Sequence, residues 1–182
     1  LQPTTLPADV KPDESAEEGT ELFVRNLSTG NEHNFTLVND YVLSKYGNTL
    51  VLKTSKKGHT KAFVLKENLT NNKVDTVMRN FNDAKSFAFD EKGEQLAFVA
   101  ERDSSKKESQ KFYKLFYYKN NTDSALQLAD KFTKGVPSKW GISEAANITF
   151  SKSGNRLFFG TAPILPPKDT SLPEFERVSV DV

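Results

Sequence analysis

The sequence predicts an all-β chain assembled from short antiparallel hairpins. Apolar residues recur with period two in brief runs, and clusters of Gly, Asn, Asp and Ser separate those runs. No stretch carries a 3.6-residue apolar pattern of helical length. One turn also recurs: Ser44-x-x-Gly47-x-x-Leu50, Asp90-x-x-Gly93-x-x-Leu96 and Ser151-x-x-Gly154-x-x-Leu157 share spacing and chemistry. A Ser or Asp opens such a turn by bonding the backbone two residues on. The Gly three positions later supplies the positive φ that closes it.

The elements follow in order. Leu1 to Gly19 holds Pro3, Pro7 and Pro12, then Asp13, Glu14, Glu17 and Glu18, and reads as a linker or lead-in. The ordered domain is expected over 20–182. Leu22 to Val24 and Phe35 to Val38 flank a polar turn, and Tyr41 to Leu43 and Leu50 to Leu52 flank the first repeated turn. Ala62 to Leu65 and Val74 to Val77 form a second, more polar hairpin. The alternation then restarts: Phe87 to Phe89 with Leu96 to Val99, Phe112 to Tyr118 with Ala125 to Leu128, and Ile148 to Phe150 with Leu157 to Phe159. β-branched and aromatic residues dominate these runs, as a pleated, half-buried surface requires.

The repeated glycines lie 46 and 61 residues apart, with one other hairpin between each pair. Two hairpins per repeat at an interval in the forties is the signature of a four-stranded propeller blade. The longer interval contains two insertions, the charged Glu101 to Lys111 and Lys131 to Ile142 with Pro137 and Trp140. The predicted fold is therefore four-stranded antiparallel blades of a β-propeller, about three of them, an incomplete ring by the usual count of four to eight. A β-sandwich with coincidentally similar turns is the alternative. Three turns in register, each separated by one hairpin, favour the propeller.

Composition narrows the function. The 182 residues carry 25 basic and 24 acidic side chains, net +1, with mean hydropathy −0.58 and 36% apolar residues. Fourteen Phe, five Tyr and one Trp argue for a packed, aromatic core rather than disorder. Balanced charge gives no electrostatic basis for nucleic acid or an anionic membrane as partner, and no apolar run approaches a bilayer span. Zero cysteines exclude disulfides, thiolate metal sites and a cysteine nucleophile, and two histidines cannot build a His-rich metal site. No cofactor is expected. The chain opens on Leu1 and has Met78 as its single methionine, so a processed product or excised piece is expected.

The stretches "FAFDEKGEQLAFVA" (87–100) and "ITFSKSGNRLFFGT" (148–161) resemble the blade motif of TolB-type propellers. The run from Gly19 to Val182, above all "PSKWGISEAANITFSKSGNRLFFGTAP", is similar to part of the propeller in large bacterial peptidases of the prolyl oligopeptidase and dipeptidyl-peptidase group. That resemblance implies a propeller that caps an α/β-hydrolase domain and restricts which peptides reach its serine. It further implies an exported, periplasmic or cell-envelope location, and the missing hydrolase domain and remaining blades as partners. A stand-alone TolB-like propeller binding proteins or glycans at its loop face is the second reading. An open partial ring is also expected to self-associate through its bare strand edges.

No residue is assigned a catalytic, cofactor-binding or metal-binding role. The nearest approach to a nucleophile elbow, Gly141-Ile142-Ser143-Glu144-Ala145, ends in Ala and lacks a strand–turn–helix context. His33 and His59 read as loop residues, and Glu101 to Glu108 as a solvated loop tip or a contact to a neighbouring domain. Pro163 to Pro167 reads as a stiff connector or a polyproline docking segment, and Trp140 as inter-blade packing. Five Asn-x-Ser/Thr sequons, at Asn26, Asn34, Asn68, Asn120 and Asn147, read as turn chemistry.

Overall fold

A computed structural model describes residues 19–55, 62–104 and 110–166. Two complete blades occupy its centre. Blade I uses the second half of β2 (Glu32–Leu43), then β3 (Thr49–Thr54), β4 (Phe63–Asn68) and β5 (Lys73–Arg79). Blade II is β6 (Asp83–Phe89), β7 (Gln95–Glu101), β8 (Lys114–Lys119) and β9 (Leu126–Ala129), in that order and antiparallel throughout. No sheet closes on itself, and the described residues contain no helix.

Half a blade flanks each side. On one, β1 (Thr20–Arg25) pairs with the first half of β2. On the other, β10 (Trp140–Ile142), β11 (Thr149–Phe150), β12 (Leu157–Phe158) and β13 (Thr161–Pro163) form two short ladders, β10 with β13 and β11 with β12. β10 and β11 together take the place of the inner strand β6, and β12 and β13 that of β7. Each inner strand is interrupted by a bulge, between Val38 and Asp40 and between Lys85 and Ala88, and by the longer excursion between Ile142 and Thr149.

The three predicted turns are superposable in their bonding. Gly47, Gly93 and Gly154 have φ of 67°, 73° and 74°. Their N–H groups donate to the carbonyls of Ser44, Asp90 and Ser151 at 2.9, 3.1 and 2.8 Å. The opening side chain, however, reaches further than two residues. Ser44 Oγ accepts from Thr49 N–H (3.0 Å), Ser151 Oγ from Arg156 N–H (3.0 Å), and Asp90 Oδ1 from Glu94 and Gln95 N–H (2.8 and 2.9 Å). It thus ties the start of the turn to the residue that opens the next strand (Thr49, Gln95) or immediately precedes it (Arg156), a longer clamp than an Asx turn.

These turns also lie side by side. Asn48 Nδ2 donates to the Lys92 carbonyl (3.3 Å), and Gln95 Nε2 to the Gly154 carbonyl (3.3 Å). A Cβ on Gly93 would sit 2.9 Å from Ser44 Cβ, so the second glycine serves both its own φ and the approach of its neighbour. Serial contact of equivalent turns means serial, like-oriented blades; a sandwich of unrelated hairpins would not produce it.

Three apolar clusters fill the spaces between layers. Val51, Val64 and Val77 of blade I meet Leu96, Phe98, Phe116 and Tyr118 of blade II. The opposite face of blade II, Ala97, Val99 and Leu115, meets Ile142, Ile148, Phe150 and Leu157. The β1–β2 hairpin lays Leu22, Val24 and Phe35 over Leu50 and Leu52 on the far face of blade I. Full burial of each such side chain stabilises by roughly 1.5–3 kcal/mol.

Several elements depart from expectation. The expected runs Phe35 to Val38 and Tyr41 to Leu43 are one strand, because a bulge with Leu37 at φ 59° absorbs the polar Asn39–Asp40 without a turn. β10 and β13 have no counterpart among the expected runs, and Trp140 and Pro163 are opposite each other in that ladder. Phe81, Phe98 and Phe116 lie in the buried cluster between blades I and II, as an aromatic core requires, whereas Phe23, Phe132 and Phe158 are exposed.

Candidate functional site

The turn end of the blades is regular, so chemistry specific to this chain gathers at the other end. Two insertions sit there. The first follows β7 and the second follows β9, and antiparallel order brings both to the same end of blade II. Between them lies a groove of about 230 Å³ lined by Glu101, Ser104, Phe112, Tyr113, Lys131 and Phe132, with Asp103, Lys114 and Asp130 also on its wall. Lys131 Nζ stands 3.6 Å from the Phe112 ring centroid and 5.2 Å from that of Phe132, so one ammonium bridges two aromatic faces. Lys114 pairs with Asp103 at 2.5 Å on the rim.

Glu101 corrects its sequence reading. It is buried at the end of β7, where Oε1 accepts from Asp103 and Ser104 N–H (2.7 and 2.6 Å) and Oε2 from Ser104 Oγ and Asn82 Nδ2 (2.6 and 3.0 Å). Burial alone raises a carboxyl pKa; the Ser104 bonds, with Asn82 and the Asp103 amide, outweigh it and hold Glu101 below the usual carboxylate range. Its charge therefore folds the start of the first insertion rather than meeting solvent. Residues 105–109 lie outside the described residues. Asp130 plays a similar part for the second insertion, accepting from Phe132 N–H (2.9 Å) and Thr133 Oγ1 (3.1 Å), and those bonds lower its pKa.

Below the groove, an ion cluster joins three blades. Asp83 at the start of β6 accepts from Tyr113 Oη (2.6 Å), pairs with Lys53 of blade I (3.4 Å) and with Lys85 (3.3 Å). Lys85 lies 3.8 Å from Glu144 of the third unit, and Ser86 Oγ donates to the Glu144 carbonyl (3.0 Å). Burial opposes the Asp83 charge, but the Tyr113 hydroxyl and the two ammonium groups prevail and its pKa falls. Burial and the Asp83 carboxylate push the Tyr113 phenol upward. The cluster is fixed as carboxylate and neutral phenol, which suits a clamp between blades.

The remaining candidates separate. Ser143 sits in the excursion between β10 and β11, its N–H donating to the Gly160 carbonyl (3.0 Å), and among the described residues the elements that come after it are the short strands β11, β12 and β13. His33 is in β2, not a loop, with Nε2 2.8 Å from buried Glu67 Oε1 and its ring edge-on to Phe35. His59 lies outside the described residues. Ile164 N–H bonds the Lys139 carbonyl (2.8 Å) and Gln110 bonds the Leu165 carbonyl, so the proline segment, as far as Pro166, docks onto both insertions. Turn chemistry holds for the sequons at Asn26, which accepts from Ser28 and Thr29 N–H, and at Asn68, which accepts from Thr70 N–H. Asn120 instead accepts from Lys66 Nζ of blade I, and Asn147 is exposed.

Four-stranded blades in series, repeated turns in contact and bulged inner strands decide the architecture. The chain is a run of β-propeller blades. It is similar to the β-propeller domain of the Trilobed protease from Pyrococcus furiosus (8% identity, 67% of this chain and 44% of that one, TM-score 0.46). It is also similar to TolB from Acinetobacter baumannii (16% identity, 78% and 32%, TM-score 0.46) and to a structure from a study of two prolyl endopeptidases (10% identity, 78% and 23%, TM-score 0.49). The chain thus spans less than half the length of each. No protein-family model and no curated protein sequence matches it.

Proposed function

We propose that these blades are a non-catalytic propeller segment of a larger exported serine peptidase, shaping substrate access and packing on its hydrolase domain. The supporting observation is convergence: the two insertions, which have no place in the blade repeat, meet at one end and line one groove, and the segment after β13 bonds to both of them. Sequence added at one end of a rigid scaffold is where binding residues concentrate. The blade-motif resemblance supplies the peptidase parentage and a periplasmic or cell-envelope location. Peptide substrate and hydrolase domain are then the partners.

The test compares the complete gene product with this chain on aminoacyl and prolyl chromogenic substrates. A downstream Gly-x-Ser-x-Gly and turnover by the complete product alone are expected. Turnover by the 182-residue chain that Ser143→Ala abolishes would overturn the reading. The aromatic pair Phe112 and Phe132 under Lys131 favours a second reading, a stand-alone TolB-like module binding protein or glycan in that groove. A complete product lacking any hydrolase domain would select it.

A further inference from the structure

The charges that line the groove of blade II are not equivalent. Its carboxylates are satisfied within the protein. Glu101 is buried and accepts from four donors. Asp103 pairs with Lys114, and Asp130 accepts from Phe132 N–H, Thr133 Oγ1 and Gln127 Nε2. Lys131 differs. Among the described residues its ammonium has neither a counter-ion nor a hydrogen-bond acceptor, and it rests on the faces of Phe112 and Phe132. Ring faces hold a cation electrostatically and leave its N–H donors free for an oxygen anion.

Uncovered apolar surface adjoins that ammonium. Phe132 is 83% exposed and Phe112 half-buried, so a ligand that reaches Lys131 also gains by covering a ring. The ammonium and the Phe132 ring centre are 5.2 Å apart, a distance that one residue spans. A C-terminal residue bears its carboxylate and its side chain on the same carbon, which matches this pairing. An internal Asp or Glu bears its carboxylate on the side chain, and the next side chain of an extended peptide points the opposite way. The groove, about 230 Å³, lies below the roughly 300–1,000 Å³ of sites that enclose a whole drug-sized ligand, and suits one residue. A cationic ligand is disfavoured, because Lys131 already occupies both rings and repels it.

We propose that, given the peptide-handling role proposed for this end, the groove binds the free C-terminal carboxylate of a peptide whose last residue is apolar. Lys131 meets the carboxylate, Phe132 covers the side chain, and Phe112 holds the ammonium in place.

The test is calorimetric titration of the 182-residue chain with acetyl-Ala-Ala-Leu and with its C-terminal amide, which requires no hydrolase domain. The acid should bind, and the amide about tenfold more weakly or worse, the effect of losing one charged hydrogen bond. Lys131→Met keeps the aliphatic stem and should remove the distinction between acid and amide, with an unchanged circular dichroism spectrum. Phe132→Ala, at an exposed position, should keep that distinction but lose the preference for acetyl-Ala-Ala-Leu over acetyl-Ala-Ala-Gly. Equal affinity for acid and amide, or no binding at millimolar peptide, would overturn the proposal. So would equal binding of acetyl-Ala-Asp-Leu amide, whose carboxylate is internal, or binding of maltohexaose in place of the peptide. A complete gene product that hydrolyses peptides while this chain ignores the carboxylate rejects the groove assignment alone. A complete product without a hydrolase domain rejects the peptidase parentage whatever the titration gives.

Discussion

Asp90 and Glu101 bracket the same hairpin of blade II and do similar work at opposite ends of it. Each is a buried carboxylate at a strand end that gathers backbone N–H groups of the segment that follows. Asp90 closes a turn that recurs twice more and touches its copies. Glu101 starts an insertion that occurs in no other blade and lines the groove. The same physics, a desolvated charge satisfied by amides, thus builds both the repeated scaffold and the unique site. What differs is whether the bonded segment also contacts its neighbour's equivalent.

Removing either carboxylate should have the largest effect, about 3 kcal/mol of unfolding free energy by denaturant titration, since several buried donors lose their acceptor. The comparison sharpens with serine. Asp90→Ser should recover most of the loss of Asp90→Ala, because Ser44 and Ser151 hold the same turn by the same bond. Glu101→Ser should recover little, its side chain being too short to reach Ser104 and Asn82 together. Equal rescue at both sites would break the distinction.

Next in size is a contrast within the turns. Gly47→Ala meets open space and should cost about 1–2 kcal/mol for the positive φ alone. Gly93→Ala adds the clash with Ser44 Cβ and should cost about 1 kcal/mol more, at the low end of the range for overpacking. Similar thermal shifts for the two would mean the turns are not in contact.

Acid titration ranks third. The pKa values of Glu101 and Asp83 are lowered in the folded chain, so the unfolded state binds protons first as pH falls. Their stabilisation is full above the unfolded values of 4.5 and 3.8 and disappears as pH drops through the lower folded values. Glu101→Gln should flatten the stability profile below about pH 5, the upper edge of carboxylate titration. The smallest effect belongs to Lys45→Ala. Its 2.5 Å contact to Glu91 links two turns in full solvent and should change stability by no resolvable amount.

The blades were legible because their information is local: a turn needs Ser or Asp, then Gly, at fixed spacing, and period two marks each strand. The site was legible only as leftover sequence. Glu101 looks solvated in a run of charges, and nothing local reveals that four donors surround it. β10 and β13 escaped because Trp140-Gly141-Ile142 and Thr161-Ala162-Pro163 are too short for a period, and Pro163 argues against a strand. Lys53, Asp83 and Glu144 come from three blades, so their meeting depends on the stacking itself.

That stacking is the central claim, and one crosslinking measurement tests it most directly. Tyr46 Oη and Glu91 Oε1 lie 3.0 Å apart across the first and second turns. In the otherwise cysteine-free chain, Tyr46→Cys/Glu91→Cys should close under a short bis-maleimide within one molecule, while Tyr46→Cys/Asn155→Cys, with the second turn in between, should not. Closure of the 46/155 pair at equal yield, or failure of the 46/91 pair, would contradict a serial row of propeller blades.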